Sequence, residues 1–126
     1  MTRVLLVGFG GGLGAIARYG VAALVHRRFP GAFPAGTLAV NALGCLLIGA
    51  LVALAEARHV ASPAVLLFLT TGFLGGFTTF SAFGSDTFQL LRQGQGMMAM
   101  TNVAASVGLG APAVWLGWAA TRGLTR

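Results

Sequence analysis

Four long apolar runs dominate this sequence, and very little charge lies inside them. They cover residues 4–25, 34–55, 62–91 and 96–121. Each run reaches the length of about 20 residues that a helix needs to cross the hydrocarbon core of a bilayer. In that core every backbone polar group has to be satisfied within the segment, which leaves the α-helix as the structure of each run. We therefore expect an all-α integral membrane protein whose four transmembrane helices form a single domain over residues 1–126.

The composition excludes the common soluble classes. Hydrophobic residues make up 56% of the chain and charged residues 8%, whereas soluble domains carry about 25% charged residues. The net charge of +6 arises because eight arginines face only two acids, Glu56 and Asp86. The arginines lie singly or in one pair, mostly between the apolar runs, as in the loops and helix ends of membrane proteins. A soluble enzyme, a disordered chain and a nucleic-acid partner are therefore not expected.

The arginines give almost no signal for the orientation of the chain in the membrane. With four spans, both termini lie on one side. We expect that side to hold Arg3, Arg58, Arg122 and Arg126, and the other side to hold Arg27, Arg28 and Arg92, with Arg18 nearest to the second. Because an excess of positive charge normally sets orientation, a balanced count allows insertion either way. Two opposite copies could pair as an antiparallel homodimer, like the inverted repeats of larger transporters; the alternative is one orientation set by other signals.

Glycine makes up 20 of the 126 residues, and several glycines are four positions apart. The pairs are Gly8 and Gly12, Gly10 and Gly14, and Gly72 and Gly76. This spacing puts two small residues on one helix face, which lets helix backbones approach closely in lipid. We expect these pairs to form packing surfaces within and between subunits.

Polar side chains inside the spans are few, and each is a candidate functional residue because burial in a bilayer is unfavourable. The candidates are Arg18, Thr37, Asn41, Thr70, Thr71, Thr78, Thr79, Ser81, Asp86, Asn102 and Ser106. Most are neutral hydrogen-bond donors, and a carboxylate at the middle of a span, which cation-coupled or proton-coupled transport usually needs, is lacking. The set therefore favours an anion over a cation as the transported species.

The third run contains a predicted helix break. Gly75 and Gly76 weaken the helix, and Thr78 and Thr79 can satisfy the backbone groups that a break releases. A break at mid-membrane would aim the positive end of a new half-helix at an anion. The released carbonyls could hold a cation, as unwound segments of transporters do. The alternative is a continuous glycine-rich packing helix.

The break is followed by two phenylalanines on one helix face. Phe80 and Phe83 are three positions apart, and aromatic ring edges carry positive partial charge that could line an anion path. Packing alone is the alternative for this pair. Asn41 in the second run and Ser106 in the fourth offer an amide and a hydroxyl, which serve equally well in a pore or between helices.

Three stretches of the chain, residues 11–19, 36–41 and 71–83, resemble the Fluc (CrcB) fluoride channels, and the resemblance extends over essentially the whole sequence. It implies a passive, fluoride-selective ion channel of the bacterial cytoplasmic (inner) membrane that exports fluoride and gives fluoride resistance. It implies no enzymatic reaction. The implied assembly is an antiparallel, dual-topology homodimer with two pores.

The resemblance also implies site residues. The backbone carbonyls of Gly75 and Thr78 match a structural sodium (Na⁺) site on the dimer axis. The anion pore residues that it implies are Asn41, Phe80, Phe83, Ser81, Thr79 and Ser106, with Arg18 at the vestibule. The chain departs from the family pattern at Ala82, Asp86, Asn102 and Gly110, so the far end of the pore is expected to be lined differently.

Two other functions compete with the channel. A small multidrug-type transporter has four spans and dual topology, but it relies on a carboxylate in its first span, where this chain has Arg18 and no acid. A non-transporting membrane assembly subunit would pack through glycines and would need neither a broken third span nor clustered donors. Loss of ion flux on mutation of the pore residues would separate the channel from the subunit.

Overall fold

The computed structural model describes residues 1–57 and 62–124. Its helical elements are α1 (Thr2–Arg28), α2 (Ala35–Glu56), α3 (Pro63–Leu67), a π-helical segment (Phe68–Leu74), α4 (Gly75–Phe77), α5 (Phe80–Arg92) and α6 (Gly96–Leu124). The elements from α3 to α5 form one span, Pro63–Arg92, and the described residues contain four spans long and apolar enough to cross a membrane. By length and apolar composition, the prediction of an all-helical chain with four membrane-spanning helices is confirmed for the described residues. Of the arginines in the orientation count, Arg58 and Arg126 lie outside the described residues.

Successive spans run in opposite directions. The start of α2 lies against α1, since a Cβ added to Gly36 would be 3.0 Å from the carbonyl oxygen of Ala22. The C-terminal ends of α2 and α6 meet, because the indole nitrogen of Trp118 donates a hydrogen bond of 2.9 Å to the carboxylate of Glu56. The guanidinium of Arg122 lies 4.7 Å from the centre of the Trp118 ring. These contacts between helix ends are those of an up-and-down helix bundle.

Glycines set the distance between α1 and the third span. Gly10 and Gly14 of α1 face the segment that contains Gly72 and Gly76. A Cβ on Gly10 would lie 2.8 Å from a backbone oxygen of the third span, and one on Gly14 or Gly76 would overlap the opposing backbone. The two backbones are therefore in direct contact at these positions, as small residues permit in lipid-embedded helices. The packing role predicted for these two glycine pairs is confirmed within the protomer.

Helices α2 and α6 also contact each other through glycine backbones. A Cβ added to Gly49 or to Gly117 would overlap the backbone of the opposing helix. The remaining predicted pair, Gly8 and Gly12, behaves differently, because no atom lies within 4 Å of a Cβ added to either residue. This pair therefore faces outward from the protomer.

The buried core is small, and much of the apolar surface is exposed. Val40, Leu74 and Phe77 form the buried cluster, and Phe77 stacks on Phe73 with 5.9 Å between ring centres. Large apolar side chains on the outer helix faces are open, among them Phe9, which is 69% exposed. A membrane protein buries such faces against lipid or other subunits rather than in its own core.

Candidate functional site

The third span is interrupted at Thr78 and Thr79. Thr78 has φ −80° and ψ 159°, and Thr79 has φ −153° and ψ 113°, so both residues are extended. A π-helical segment, Phe68–Leu74, lies shortly before them, and α5 begins at the next residue, Phe80. A continuous packing helix, which the sequence left open, is therefore wrong for this span.

The side chain of Asn41 on α2 binds the backbone of this interruption twice. Its amide nitrogen Nδ2 donates to the carbonyl oxygen of Thr79 at 3.0 Å, and its Oδ1 accepts from the amide of Thr79 at 2.8 Å. The hydroxyl of Thr79 accepts from the amide of Ala82 at 3.1 Å and so caps α5. Because backbone groups away from water need partners, these three bonds explain how the chain tolerates an extended pair between apolar helices.

The same bonds release two backbone carbonyls from the helical pattern. In an uninterrupted α-helix the carbonyl of Gly75 accepts from the amide of Thr79, and that of Thr78 from the amide of Ala82. Here the Thr79 amide donates to Asn41, and the Ala82 amide donates to the Thr79 hydroxyl. Neither carbonyl therefore receives its usual helical hydrogen bond. Unwound carbonyls of this kind coordinate sodium in membrane transporters.

A cavity of about 510 Å³ lies beside the interruption. Most of the predicted site residues line it together: Asn41, Gly75, Thr78, Thr79, Phe80, Phe83 and Ser106. These residues come from α2, the third span and α6, so the cavity exists only in the assembled bundle. Its walls combine a few polar donors with apolar and aromatic surface, as in most small-ligand sites.

The two phenylalanines form one edge of this cavity. The ring centres of Phe80 and Phe83 are 5.5 Å apart, and the ring planes are tilted by 39°. Phe80 is 83% exposed, so the cavity opens to the surface of the protomer at this ring. Aromatic ring edges carry positive partial charge, and both rings line the opening.

Two predicted site residues lie outside the large cavity. Arg18 is half-buried and lines a second cavity of about 320 Å³ with Tyr19, Thr37 and Thr79. Ser81 is exposed, and its hydroxyl oxygen lies 3.2 Å from that of Thr79. Thr79 thus lines both cavities and contacts Ser81, so it connects Arg18 and Ser81 to the site residues of the large cavity.

Residues at which the chain departs from the family pattern serve other contacts. The hydroxyl of Thr37 donates to the carboxylate of Asp86 at 2.7 Å. Asn102 is 1% exposed and belongs to the contact between α5 and α6. A Cβ added to Gly110 would lie 3.6 Å from the sulfur of Cys45.

Sequence reasoning missed Gly44 and Cys45, which also line the large cavity. A Cβ on Gly44 would overlap the side chain of Thr78, so this glycine makes room for the extended pair. Helical spacing could have identified them, because residues three and four positions after Asn41 lie on the same face of α2.

Comparison with known proteins agrees with this architecture. Residues 5–118 match the family described as CrcB-like protein, Camphor Resistance (CrcB). A protein of Rhizobium johnstonii named fluoride-specific ion channel FluC is 46% identical over 124 residues, which cover 98% of this chain and 99% of the relative. A Geobacter sulfurreducens protein of the same name is 45% identical, with 98% and 100% covered, and one of Nitratidesulfovibrio vulgaris is 42% identical, with 93% and 94% covered. The four spans and these matches show that the chain is a multi-pass membrane protein and belongs to the CrcB family.

Proposed function

We propose that this protein is a passive, fluoride-selective channel of the bacterial cytoplasmic membrane that lets fluoride leave the cell and so gives fluoride resistance. The observation that carries the proposal is the cavity in which the amide of Asn41, the hydroxyl of Ser106 and the rings of Phe80 and Phe83 meet. It occurs in a chain 46% identical to a protein named for fluoride-specific conduction. Conduction makes and breaks no covalent bond, so the activity is not enzymatic.

The cavity suits an anion that has to leave its water shell. A pore must replace hydration with groups that bind well enough to admit the ion and weakly enough to release it. An amide nitrogen carries two protons, and one of those on Asn41 is used by the carbonyl of Thr79. The second proton and the edges of Phe80 and Phe83 are then available to the ion, without any fixed full charge that would hold it.

Arg18 supplies the attraction at the entrance. A positive charge in a half-buried cavity raises the local concentration of anions. Because Thr79 lines both the Arg18 cavity and the phenylalanine cavity, we assign the anion route to pass from the first to the second at Thr79. Ser81, which contacts the Thr79 hydroxyl, completes the polar side of this junction.

We further propose that two copies pair as an antiparallel homodimer. The extended pair Thr78 and Thr79 lies near the middle of the 30-residue span Pro63–Arg92, and we place it at mid-membrane. Non-helical backbone at that depth is tolerated only where protein or a water-filled cavity covers it. In one protomer Gly75 is exposed and Phe80 is 83% exposed, on either side of the extended pair, and we infer that a second copy covers this face.

Dual topology has its own test. We expect that lysines added beyond the C-terminus will shift a mixed population of orientations toward one, because added positive charge favours the cytoplasmic side. Accessibility of a terminal tag in inverted and right-side-out vesicles measures the fractions. An unmodified protein that already inserts uniformly would contradict dual topology.

Fluoride efflux from liposomes that hold the purified protein tests the function itself. We expect rapid fluoride release, recorded with a fluoride electrode, while chloride is retained in matched liposomes. Absence of release from well-folded protein would overturn the proposal and favour a non-transporting assembly subunit. Uphill transport of cationic drugs, driven by exchange for protons moving down their gradient, would favour a small multidrug-type transporter.

A structural sodium ion on the dimer axis is part of the same proposal. The Gly75 and Thr78 carbonyls are released from the helical pattern because their usual donors bind Asn41 and the Thr79 hydroxyl. Each protomer would offer two oxygens, and the bound ion would hold the two interrupted spans together. The efflux assay repeated with a large organic cation in place of sodium tests this, since undiminished flux after complete exchange would contradict it.

A further inference from the structure

Helix α5 carries the two phenylalanines, yet apolar packing holds it only weakly. Leu90 is its one buried residue among Phe80–Arg92, all of which the structure describes. Leu90 lies near the end of α5, whereas Phe80 and Phe83 lie in its first turn. One buried apolar residue gives little resistance to rotation of the whole helix about its axis. The Thr79 hydroxyl caps the first turn of α5, and polar contacts further along the helix add to this restraint.

Polar contacts from two neighbouring helices also restrain α5. On one side, Thr37 of α2 donates to Asp86 at 2.7 Å. On the other side, Asn102 of α6 donates through Nδ2 to the hydroxyl oxygen of Thr87 at 2.9 Å. Adjacent residues point about 100° apart around an α-helix with 3.6 residues per turn. Bonds to Asp86 and Thr87 therefore restrain α5 from two directions and oppose its rotation.

The contact from α6 continues to Phe83. The hydroxyl of Thr87 donates to the carbonyl oxygen of Phe83 at 2.8 Å. A hydroxyl has one proton and two lone pairs, so Thr87 can donate to Phe83 and accept from Asn102 at once. Hydrogen bonds in series polarise and strengthen one another where water is excluded. Asn102 is 1% exposed and Thr87 is half-buried, so competing water has limited access to this short chain of bonds.

We propose that Asn102 and Thr87 are positioning residues for the anion path. They fix the rotation of α5, and with it the ring of Phe83, without touching the ion. Within residues 1–57 and 62–124, the residues that line the large cavity do not include either of them. The inference rests on the proposed channel function and assigns Asn102 a role that its place in the sequence did not reveal.

Single-channel recording separates positioning from folding. We expect Thr87→Val to lower the unitary fluoride current by about threefold to tenfold, because mutations that contact no ligand can change coupling by roughly this order. Thr87→Ser keeps the hydroxyl and should restore the wild-type current. Thr101→Val is the matched control, because Thr101 is exposed and makes only the same kind of bond to the carbonyl of Met97, at 2.8 Å.

A second variant protects the test against misfolding. Asn102→Leu removes the donor from α6 and leaves the bond between Thr87 and Phe83 in place, and we expect the same direction of change. The double variant Asn102→Leu with Thr87→Val should lose no more than the larger single effect, because residues in one bond network are not additive.

The outcomes are distinguishable. Variants that form fewer active channels with an unchanged unitary current would show a purely structural role and overturn the inference. A wild-type protein that passes no fluoride current would overturn the proposed function, and this inference with it. A conducting wild type with an equally conducting Thr87→Val dimer would overturn the inference alone.

Discussion

Replacing Phe80 with isoleucine is expected to reduce fluoride efflux by about tenfold or more, which corresponds to the loss of about 1.4 kcal/mol of interaction in the rate-limiting step. The isoleucine keeps an apolar side chain of useful size but has no ring edge with positive partial charge. Phe80 is 83% exposed in the protomer, so its removal leaves the core of the bundle unchanged. Efflux per mole of purified dimer, followed with a fluoride electrode, measures the effect.

Phe88→Ile is the matched control for this experiment. Phe88 lies on the same helix, is 60% exposed and has its ring 5.9 Å from the guanidinium carbon of Arg92 rather than beside the cavity. We expect it to leave fluoride efflux close to the wild-type rate. Equal efflux from Phe80→Ile and wild type would remove the argument from aromatic edges.

Replacing Asn41 with leucine is expected to damage both flux and stability. The change removes both bonds to Thr79 and leaves its amide and carbonyl without these partners. A buried polar group that loses its partner costs about 1–3 kcal/mol. We therefore expect efflux to fall to background and the thermal denaturation temperature of the solubilised protein to drop.

The two readouts divide the possible roles of Asn41. Leu43→Ala changes a 44% exposed residue of the same helix and serves as the control for substitution in α2. Lost efflux with an unchanged denaturation temperature would make Asn41 a pore donor only. Normal efflux and normal stability together would contradict the bidentate contact as a support of the interruption.

Part of the site could be predicted because its determinants are local. Phe80 and Phe83 share a helix face by spacing alone, and the structure holds their ring centres 5.5 Å apart. Gly75 and Gly76 followed by two threonines indicated a break, and the extended residues Thr78 and Thr79 lie there. In each case, neighbours in the chain carry the whole signal.

Asn41 and Asn102 show where local signals end. Both are amides inside apolar runs, and only the family resemblance distinguished them, with Asn41 in the pore and Asn102 as a departure from the pattern. Asn41 binds backbone 38 positions away and lines the cavity, whereas Asn102 binds Thr87, 15 positions away. The difference arises from the register between neighbouring helices, which cannot be inferred from the sequence of either helix alone.

The sequence by itself determined four helical spans, because their length and lack of charge meet the requirements of a bilayer one segment at a time. It also determined the weak point of the third span and the shared face of its two phenylalanines. Only the tertiary structure decided that Asn41 clamps Thr79, that Thr79 joins the Arg18 cavity to the phenylalanine cavity, and that Asn102 is buried behind α5. The physical reason is that glycine contacts between helices, such as Gly14 against the third span, set the axial position and rotation of each span. These positions depend on the sequences of two segments together.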